Sequence, residues 1–260
     1  MKFVLIALAA ATAFAQTKSL ACDNNNHGNR LVSSCEVREQ TIAYGGRLTV
    51  DGGVNGGVSI KGWDNASVLV RSKVEAYGVD DATAKSLGAQ VRVNWSAGQV
   101  SASGPEMTRD QSWAVSYEVF VPRNADLSLK THNGGISIAD VRGNIQFDAL
   151  NGGVNLKNLA GDVEGQTKNG GLNITLAGNR WDGAKLDART TNGGINLSMP
   201  ASYNAHFETA TVNGHLNANF DITVHGNLSD ISRKLSTDIG AGGPTIHVET
   251  TNGGVNVKRI

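Results

Sequence analysis

The sequence contains little proline, few aromatic residues and no excess of either charge. Its 260 residues include four prolines, aromatic residues make up 5%, and 23 Lys and Arg residues balance 23 Asp and Glu residues. A surface that stacks nucleic-acid bases requires aromatic side chains, and long-range attraction to nucleic acid or to an anionic membrane requires a net positive field. The composition therefore argues against nucleic acid as a partner.

Long hydrophobic runs are also missing, apart from one at the amino terminus. Lys2 precedes a short apolar stretch at residues 3–11, and residues 13–15 read Ala-Phe-Ala, a small-x-small cleavage site. This order predicts a secretory signal peptide at residues 1–15. The run is too short to anchor the chain in a bilayer. We therefore expect an exported protein without a membrane span, located in the periplasm, on the outer cell surface or in the medium.

Only two cysteines occur, Cys22 and Cys35, and both closely follow the predicted signal peptide. In an exported chain an even pair at this spacing predicts a disulfide. Such a bond would contribute about 3 kcal/mol in the chain-entropy model. Lipidation of Cys22 is the competing interpretation, because the preceding Leu20 and Ala21 are typical of part of a lipoprotein signal. It would leave Cys35 unpaired, and both interpretations stay open from the sequence.

Glycine, in contrast, is abundant at 32 residues, and much of it lies in a repeated motif. Asn-Gly-Gly occurs six times and the variant Asn-Gly-His once. From the second motif onward, successive motifs are 18, 18, 23, 21 and 39 residues apart, and we interpret the last interval as about two repeats. The motifs begin at Asn55, Asn133, Asn151, Asn169, Asn192, Asn213 and Asn252.

Each repeat continues with alternating apolar and polar residues, as at Val154 and Leu156 after Asn151. This alternation predicts a strand with one buried face. Asn and Gly both tolerate positive φ, so the motif predicts a tight turn. The second glycine is expected to let the backbones of neighbouring units approach without a Cβ clash. Because one unit cannot bury its apolar face alone, the units are expected to stack.

Two all-β architectures satisfy this pattern. In a parallel β-solenoid each unit of about 18–23 residues is one coil, and the asparagines line one corner, with amide ladders between coils. In an antiparallel meander each Asn-Gly is a hairpin. Like residues recurring at like places favour the solenoid, and the meander remains the alternative.

The repeat also divides the chain. After the signal peptide we expect a disulfide-linked segment with a first repeat at residues 16–57, and a strand-rich insertion or cap at residues 58–130. The Asn-Gly-Gly β-repeat domain would occupy residues 131–260. Within the insertion, residues 80–87 predict one short helix that begins with an aspartate. Caps of this kind protect the terminal apolar faces and strand edges of repeat arrays.

Several stretches together carry a family resemblance. Residues 35–39 read Cys-Glu-Val-Arg-Glu, residues 55–64 read Asn-Gly-Gly-Val-Ser-Ile-Lys-Gly-Trp-Asp, and Thr-Thr-Asn-Gly-Gly occurs at residues 190–194 and 250–254. With the serial Asn-Gly-Gly motifs, they make the chain resemble the bacterial putative-adhesin family of β-strand-repeat proteins, a domain of unknown function. The resemblance implies a β-solenoid-like fold, an extracytoplasmic setting and an adhesin-like role. It implies no catalytic residues.

No motif predicts catalysis, a metal site or a cofactor. The repeats lack the aspartate that ligates calcium in Gly-Gly-x-Gly-x-Asp solenoids, and His206, His215 and His225 are not spaced as zinc ligands. A polysaccharide-cleaving β-helix would need carboxylates clustered on one face. Asp148 and Asp187, in contrast, occupy different registers of their repeats.

We therefore expect a non-enzymatic protein that is adhesin-like, with a binding or structural role at the cell envelope or surface. Its partner would be a macromolecule, such as a surface glycan, a matrix protein or an envelope protein. A periplasmic scaffold or sensor protein is the alternative. A glycan-active β-helix enzyme is a further alternative, and a carboxylate cluster on one folded face would favour it.

Overall fold

The computed structural model describes residues 20–22, 31–96, 98–220 and 233–260. Within these residues the chain forms 20 strands and one α-helix. The strands divide equally between two sheets of ten. The signal peptide predicted at residues 1–15 lies outside the described residues.

Sheet 1 carries the strand that follows each Asn-Gly-Gly motif. In spatial order it contains β1 (Val32–Ala43), β4 (Ser67–Gly78), β7 (Ser112–Pro122), β3 (Val58–Trp63), β9 (Ile136–Ala139), β11 (Val154–Lys157), β13 (Leu172–Thr175), β15 (Ile195–Met199), β20 (Val255–Arg259) and β17 (Leu216–Ala218).

Sheet 2 carries the strand that precedes each motif. In spatial order it contains β18 (Lys234–Ile239), β16 (Ala205–Asn213), β19 (Thr245–Asn252), β14 (Lys185–Asn192), β12 (Ala160–Asn169), β10 (Arg142–Asn151), β8 (Asp126–Thr131), β2 (Arg47–Asp51), β6 (Gln99–Ser103) and β5 (Arg92–Ser96).

Each repeat forms one coil, with a strand in sheet 2, a corner at Asn-Gly-Gly and a strand in sheet 1. β10 pairs in parallel with β12, so that Asn151 lies opposite Asn169. β11 pairs in parallel with β13, so that Val154 lies opposite Leu172. The predicted all-β parallel solenoid is thereby confirmed. The antiparallel meander is wrong for these repeats, because like residues stack in parallel strands.

The coils do not follow one another in chain order at either end of the stack. At one end β2–β3 lies between β6–β7 and β8–β9, and at the other β19–β20 lies between β14–β15 and β16–β17. As a result Asn213 and Asn252, 39 residues apart, are direct neighbours. The interpretation of this interval as two repeats is wrong, because β18 pairs with β16 at the end of sheet 2 and β19 then lies one coil earlier.

A single apolar core runs between the two sheets. Ile145, Val163 and Leu186 occupy the same position in successive coils of sheet 2, and each is at most 1% exposed. Val154 and Leu172 face them from sheet 1 and are fully buried. Burial of one such side chain contributes about 1.5–3 kcal/mol, so a coil gains stability only when its neighbours cover it.

Antiparallel strands lie at three of the four edges of the stack. β4 pairs with β7 and β1 pairs with β4 in sheet 1, β5 pairs with β6 in sheet 2, and β18 covers β16 at the opposite end. Residues 58–130 therefore contribute both to the cap, through β4 and β5, and to the coils, through β3, β6, β7 and β8. Such strands limit the open parallel edge that a repeat array would otherwise expose.

The single helix, α1 (Asp81–Gln90), packs on β1 and β4. Asp80 is its N-cap and accepts a hydrogen bond of 2.7 Å from the backbone N–H of Thr83, which confirms the helix predicted to begin with an aspartate. At its other end Arg38 donates to the carbonyl oxygens of Gly88 and Val91, at 3.1 and 2.7 Å. A cation at a helix C-terminus is favourable, and this contact ties the helix to β1.

Candidate functional site

The corner asparagines form a continuous ladder of amide hydrogen bonds along one edge of the solenoid. Each donates from Nδ2 to Oδ1 of its neighbour, as Asn151 does to Asn133 and Asn169 does to Asn151, both at 2.8 Å. All the asparagines in this ladder are exposed. In spatial order it joins Asn55, Asn133, Asn151, Asn169, Asn192, Asn252 and Asn213, with six bonds of 2.7–3.0 Å.

The two glycines of the motif have different roles at this corner. A Cβ on the first glycine, Gly152, would lie 2.2 Å from the carbonyl oxygen of Gly134 in the next coil. A Cβ on the second glycine, Gly153, would meet nothing closer than 3.5 Å. The first glycine, and not the second as expected, is the one that close backbone approach requires. Neither has a positive φ, so the turn is not the hairpin type that Asn-Gly favours.

Buried threonines stabilise the corner from inside the solenoid. Thr167 donates from Oγ1 to the carbonyl oxygen of Gly152 at 2.8 Å, and Thr190 donates to that of Gly170 at 2.7 Å. The threonine thus satisfies an acceptor of the preceding coil, which would otherwise be left unpaired in the interior. The same contact recurs from Thr211 and Thr250.

A second amide ladder, which the sequence analysis did not predict, runs along the outer face of sheet 1. Five exposed asparagines lie four residues after a corner asparagine, and each bonds to the next coil at 3.0–3.2 Å. The recurring pattern Asn-Gly-x-x-Asn could have revealed it. In spatial order the second ladder consists of Asn155, Asn173, Asn196, Asn256 and Asn217.

Lysines are the charged side chains beside the second ladder. Lys61, Lys157 and Lys258 lie two residues further along their strands, in one row across sheet 1. Among the described residues, the strands β3, β9, β11, β13, β15, β17 and β20 contain no Asp or Glu. This outer face, from β3 to β17, is therefore polar, and the charged side chains on its strands are all positive. We call it the amide face.

The outer face of sheet 2 carries both charges, and several of them are paired. Lys185 donates to Glu164 at 2.9 Å, and Arg189 donates to Asp187 at 2.8 Å. His247 lies 3.0 Å from the same Asp187 carboxylate. Although the chain has equal numbers of acidic and basic residues, its charges are unevenly distributed between the sheets, since most of the outward carboxylates belong to sheet 2.

Two adjoining polar grooves lie on sheet 2, with volumes of about 320 and 430 Å³. They share Asp148 and Gln166. The larger one also contacts Lys130, His132 and Lys168, and the smaller one Glu164, Asp187 and Arg189. Both are open depressions on a strand surface that carries mixed charge.

His206 lies between two carboxylates near the end of sheet 2. Its Nδ1 is 2.7 Å from Asp238, which raises the pKa of the histidine, and its Nε2 is 3.3 Å from Glu208, which acts in the same direction. Ser236 Oγ also lies 3.3 Å from Nε2. The connectivity is that of a Ser-His-Asp triad, but two carboxylates favour the imidazolium, which cannot accept the serine proton. The arrangement is an ion-paired cluster.

The structure brings Asp148 and Asp187 into the smaller groove of sheet 2 and leaves the described candidate histidines apart. His215 lies at a corner of the last coil, away from His206, and His225 is outside the described residues. Asp148 and Asp187 nevertheless lie in different rows of sheet 2. Among residues 20–22, 31–96, 98–220 and 233–260, no group of three or more His, Cys, Asp or Glu is arranged to hold a metal ion.

At the amino-terminal end Cys22 and Cys35 form a disulfide, with their Cα atoms 5.8 Å apart. The bond attaches the segment at residues 20–22 to β1. Both cysteines are thus engaged, as the disulfide interpretation of the sequence expects. The helix in the described part of the chain is not long and apolar enough to cross a membrane.

Several solved structures match the chain over most of its length. A putative cell adhesion protein from Clostridium sporogenes shares 15% identity, with a TM-score of 0.45, over 87% of this chain and 100% of its own. Putative adhesins from Bacteroides fragilis and Parabacteroides distasonis share 11% and 10%, each with a TM-score of 0.36, over 86% of this chain and 97% of their own. Likeness at this level carries no information about a ligand.

No curated protein matches the sequence significantly. The sequence profile of one family does match, from residue 45 to residue 258. These residues include all the coils of the solenoid, and they agree with the expected resemblance to a domain of unknown function. The chain therefore belongs to the Toastrack DUF4097 family.

Proposed function

We propose that this protein is an exported, non-enzymatic, adhesin-like protein that binds a macromolecule at the cell envelope or surface through the outer faces of its solenoid. The observation that carries the proposal is the pair of parallel amide ladders. They place exposed hydrogen-bonding groups at every coil of a rigid stack, over five coils for one ladder and seven for the other.

The ladders make these groups ready for binding before a partner arrives. An exposed asparagine ordinarily samples several rotamers, and immobilising a flexible side chain on binding costs about 0.5–1.5 kcal/mol. Here Asn173 is already held by Asn155 at 3.1 Å and holds Asn196 at 3.0 Å. Little further entropy is lost when such a surface is covered, so many modest polar contacts can add to a useful affinity.

Two features support export. The amino terminus has the order of a secretory signal at residues 1–15. The disulfide between Cys22 and Cys35 is typical of proteins that fold in an oxidising compartment.

Two features support a role without catalysis. Asp148 and Asp187, which a glycan-cleaving β-helix would need side by side, lie in different rows of sheet 2. Asp148, Glu164 and Asp187 do line one groove, as the enzyme alternative requires. However, Lys185 engages Glu164, and Arg189 and His247 engage Asp187, so two of the three carboxylates are held in ion pairs.

The experiment that tests the proposal is protease accessibility on intact cells that express the chain, compared with cells whose outer membrane has been permeabilised. We expect the protein to be digested on intact cells or recovered from the medium. A cytoplasmic protein and a known periplasmic protein serve as controls for leakage. Protection until permeabilisation would contradict surface adhesion and would favour the periplasmic scaffold or sensor. Recovery only from the cytoplasm would contradict export altogether.

A further inference from the structure

We propose that the amide face binds a linear anionic polysaccharide, which lies along the stack axis with its hydroxyl groups on the second amide ladder and its acidic groups on the lysine row. This inference rests on the proposed binding function and adds the site and the class of partner. It follows from three features of the face: its unused hydrogen-bonding groups, its strand composition and its charge.

The first feature is the unused hydrogen-bonding capacity of the second ladder. An asparagine amide has two N–H donors and two acceptor lone pairs. Asn173 uses one donor towards Asn155 and one lone pair towards Asn196. One donor and one acceptor therefore remain at each interior asparagine, and the spacing between strands repeats them every 4.7–4.9 Å or so. Sugar hydroxyls both donate and accept, so a polyhydroxylated chain complements such a row.

The second feature is that asparagine is a poor residue for these positions. Asparagine is depleted from strands, whereas threonine and valine are favoured. The chain nevertheless has asparagine as the second residue of five neighbouring strands of sheet 1, among them β11 and β13. The corresponding outward row of sheet 2 is varied, with Gln146, Glu164 and Asp187 in successive coils. Residues that break a local rule mark functional sites more often than chance.

The third feature is charge. Lys61 and Lys157 are two coils apart, about 10 Å, and Lys157 and Lys258 are three coils apart, about 14 Å. None of the three has an ion-pair partner among the described residues of the chain. Lys157 and Lys258 are exposed and Lys61 is half-buried. The positions between them carry short side chains, namely Ala139, Thr175 and Ser198. A polymer with regularly spaced acidic groups satisfies these charges, and a neutral one does not.

The grooves of sheet 2 are the weaker candidate for the same ligand. Three of the carboxylates that line them, Asp148, Glu164 and Asp187, would repel an anionic chain. The cation Arg189 is already engaged by Asp187 at 2.8 Å. The amide face has no such carboxylate among its described strand residues.

The test uses the mature chain, residues 16–260, and three polymers of matched length. Dextran sulfate is anionic and carries hydroxyls, dextran is neutral, and polyglutamate is anionic without sugar. We expect measurable binding to dextran sulfate that weakens as salt rises, and weaker binding to the other two. Equal affinity for dextran would overturn the role of charge. Equal affinity for polyglutamate, or no binding to dextran sulfate, would overturn the proposal that the partner is an anionic polysaccharide.

Two variants and a matched control locate the site. Changing Lys61, Lys157 and Lys258 to Gln is expected to weaken binding to dextran sulfate about tenfold, because each exposed ion pair contributes roughly a factor of two to three. The control changes three sheet 2 lysines, which alters the net charge equally, and is expected to leave the affinity within about twofold. These control positions are Lys130, Lys168 and Lys234.

The second variant changes Asn155, Asn173, Asn196 and Asn256 to Thr, which suits strands and is expected to preserve the melting temperature while weakening binding at least about fivefold. An equal loss in the sheet 2 control, or unchanged affinity in both amide-face variants, would overturn the proposed site. These outcomes are separate from the proposed function, since protease accessibility on intact cells depends on neither variant.

Discussion

The different roles of the two corner glycines make a prediction that separates close packing from turn geometry. Gly152 and Gly153 are adjacent in one motif, neither has a positive φ, and alanine can adopt the backbone of either. A Cβ at Gly152 would lie 2.2 Å from the carbonyl oxygen of Gly134, whereas a Cβ at Gly153 would lie 3.5 Å from the carbonyl oxygen of Gly171, which is an ordinary contact. Gly152→Ala is therefore expected to destabilise the protein, and Gly153→Ala is the matched control.

The magnitude follows from the required displacement. The Cβ would also lie 2.5 Å from the carbonyl carbon of Gly134, whereas an ordinary contact between carbon atoms is about 3.5 Å. Gly152→Ala must therefore move the two coils apart by roughly 1 Å at this corner. Such a movement stretches the backbone hydrogen bond from Asn151 to His132, which joins the same two coils and is 2.7 Å long. Overpacking of this kind costs about 1–3 kcal/mol, and the lost backbone bond adds about 1 kcal/mol. Alanine also lowers the conformational entropy of the unfolded chain, which offsets the loss by about 0.4–1 kcal/mol.

The expected net effect is a loss of about 2–3 kcal/mol for Gly152→Ala and a gain of up to about 1 kcal/mol for Gly153→Ala. In a domain of this size the first corresponds to a fall in Tm of roughly 5–10 °C. Thermal unfolding followed by circular dichroism, with urea titration for the free energy, measures both. Equal destabilisation by the two variants would refute the reasoning, because a turn requirement acts on both glycines and close approach acts on one.

Three further predictions follow from single contacts. Thr190→Val keeps the shape of a buried side chain but removes its bond to the Gly170 carbonyl, and should cost about 1–2 kcal/mol in urea unfolding; an unchanged midpoint would show that the carbonyl finds another donor. Replacement of Cys22 and Cys35 by Ser should cost about 3 kcal/mol, and the same variant treated with reductant should show no additional loss. The pKa of His206 is raised by the flanking carboxylates, Asp238 first, so its contribution to stability is complete below about pH 6.5 and is lost as pH rises through the folded pKa. In His206→Gln this part of the pH dependence, above about pH 6.5, should disappear, and an unaltered pH profile would contradict it.

The sequence was sufficient to predict the class of fold because its signals are local and repeated. Alternation after each Asn-Gly-Gly predicts short strands, and like residues at like positions favour parallel stacking. It also suggested amide ladders at the corner asparagines. The second ladder, at Asn155 and its equivalents, was missed although Asn recurs four residues after the corner. The alignment of outward residues in neighbouring coils depends on the register of strand pairing. That register is known only once the strands are paired in the structure.

Roles that depend on contacts between distant residues could not be predicted. The sequence analysis attributed close approach to the second glycine, but the carbonyl oxygen of Gly134 lies over Gly152. Likewise, equal numbers of acidic and basic residues indicated a chain without a net field. The structure places acidic and basic residues on different surfaces. The strands of sheet 1 from β3 to β17, which carry Lys157 and Lys258, contain no carboxylates.

The sequence by itself determined the unit of this protein: a strand, a glycine corner and a second strand, each with one apolar face that requires a neighbour. These properties arise from residues within about 20 positions of one another, so local patterning encodes them. Only the tertiary structure decided the order of the coils, in which β19–β20 lies between β14–β15 and β16–β17. Equivalent coils present nearly the same face to a neighbour, so local patterning does not choose among their orders. The choice depends on which strands cover the ends of the stack, as β18 does for β16.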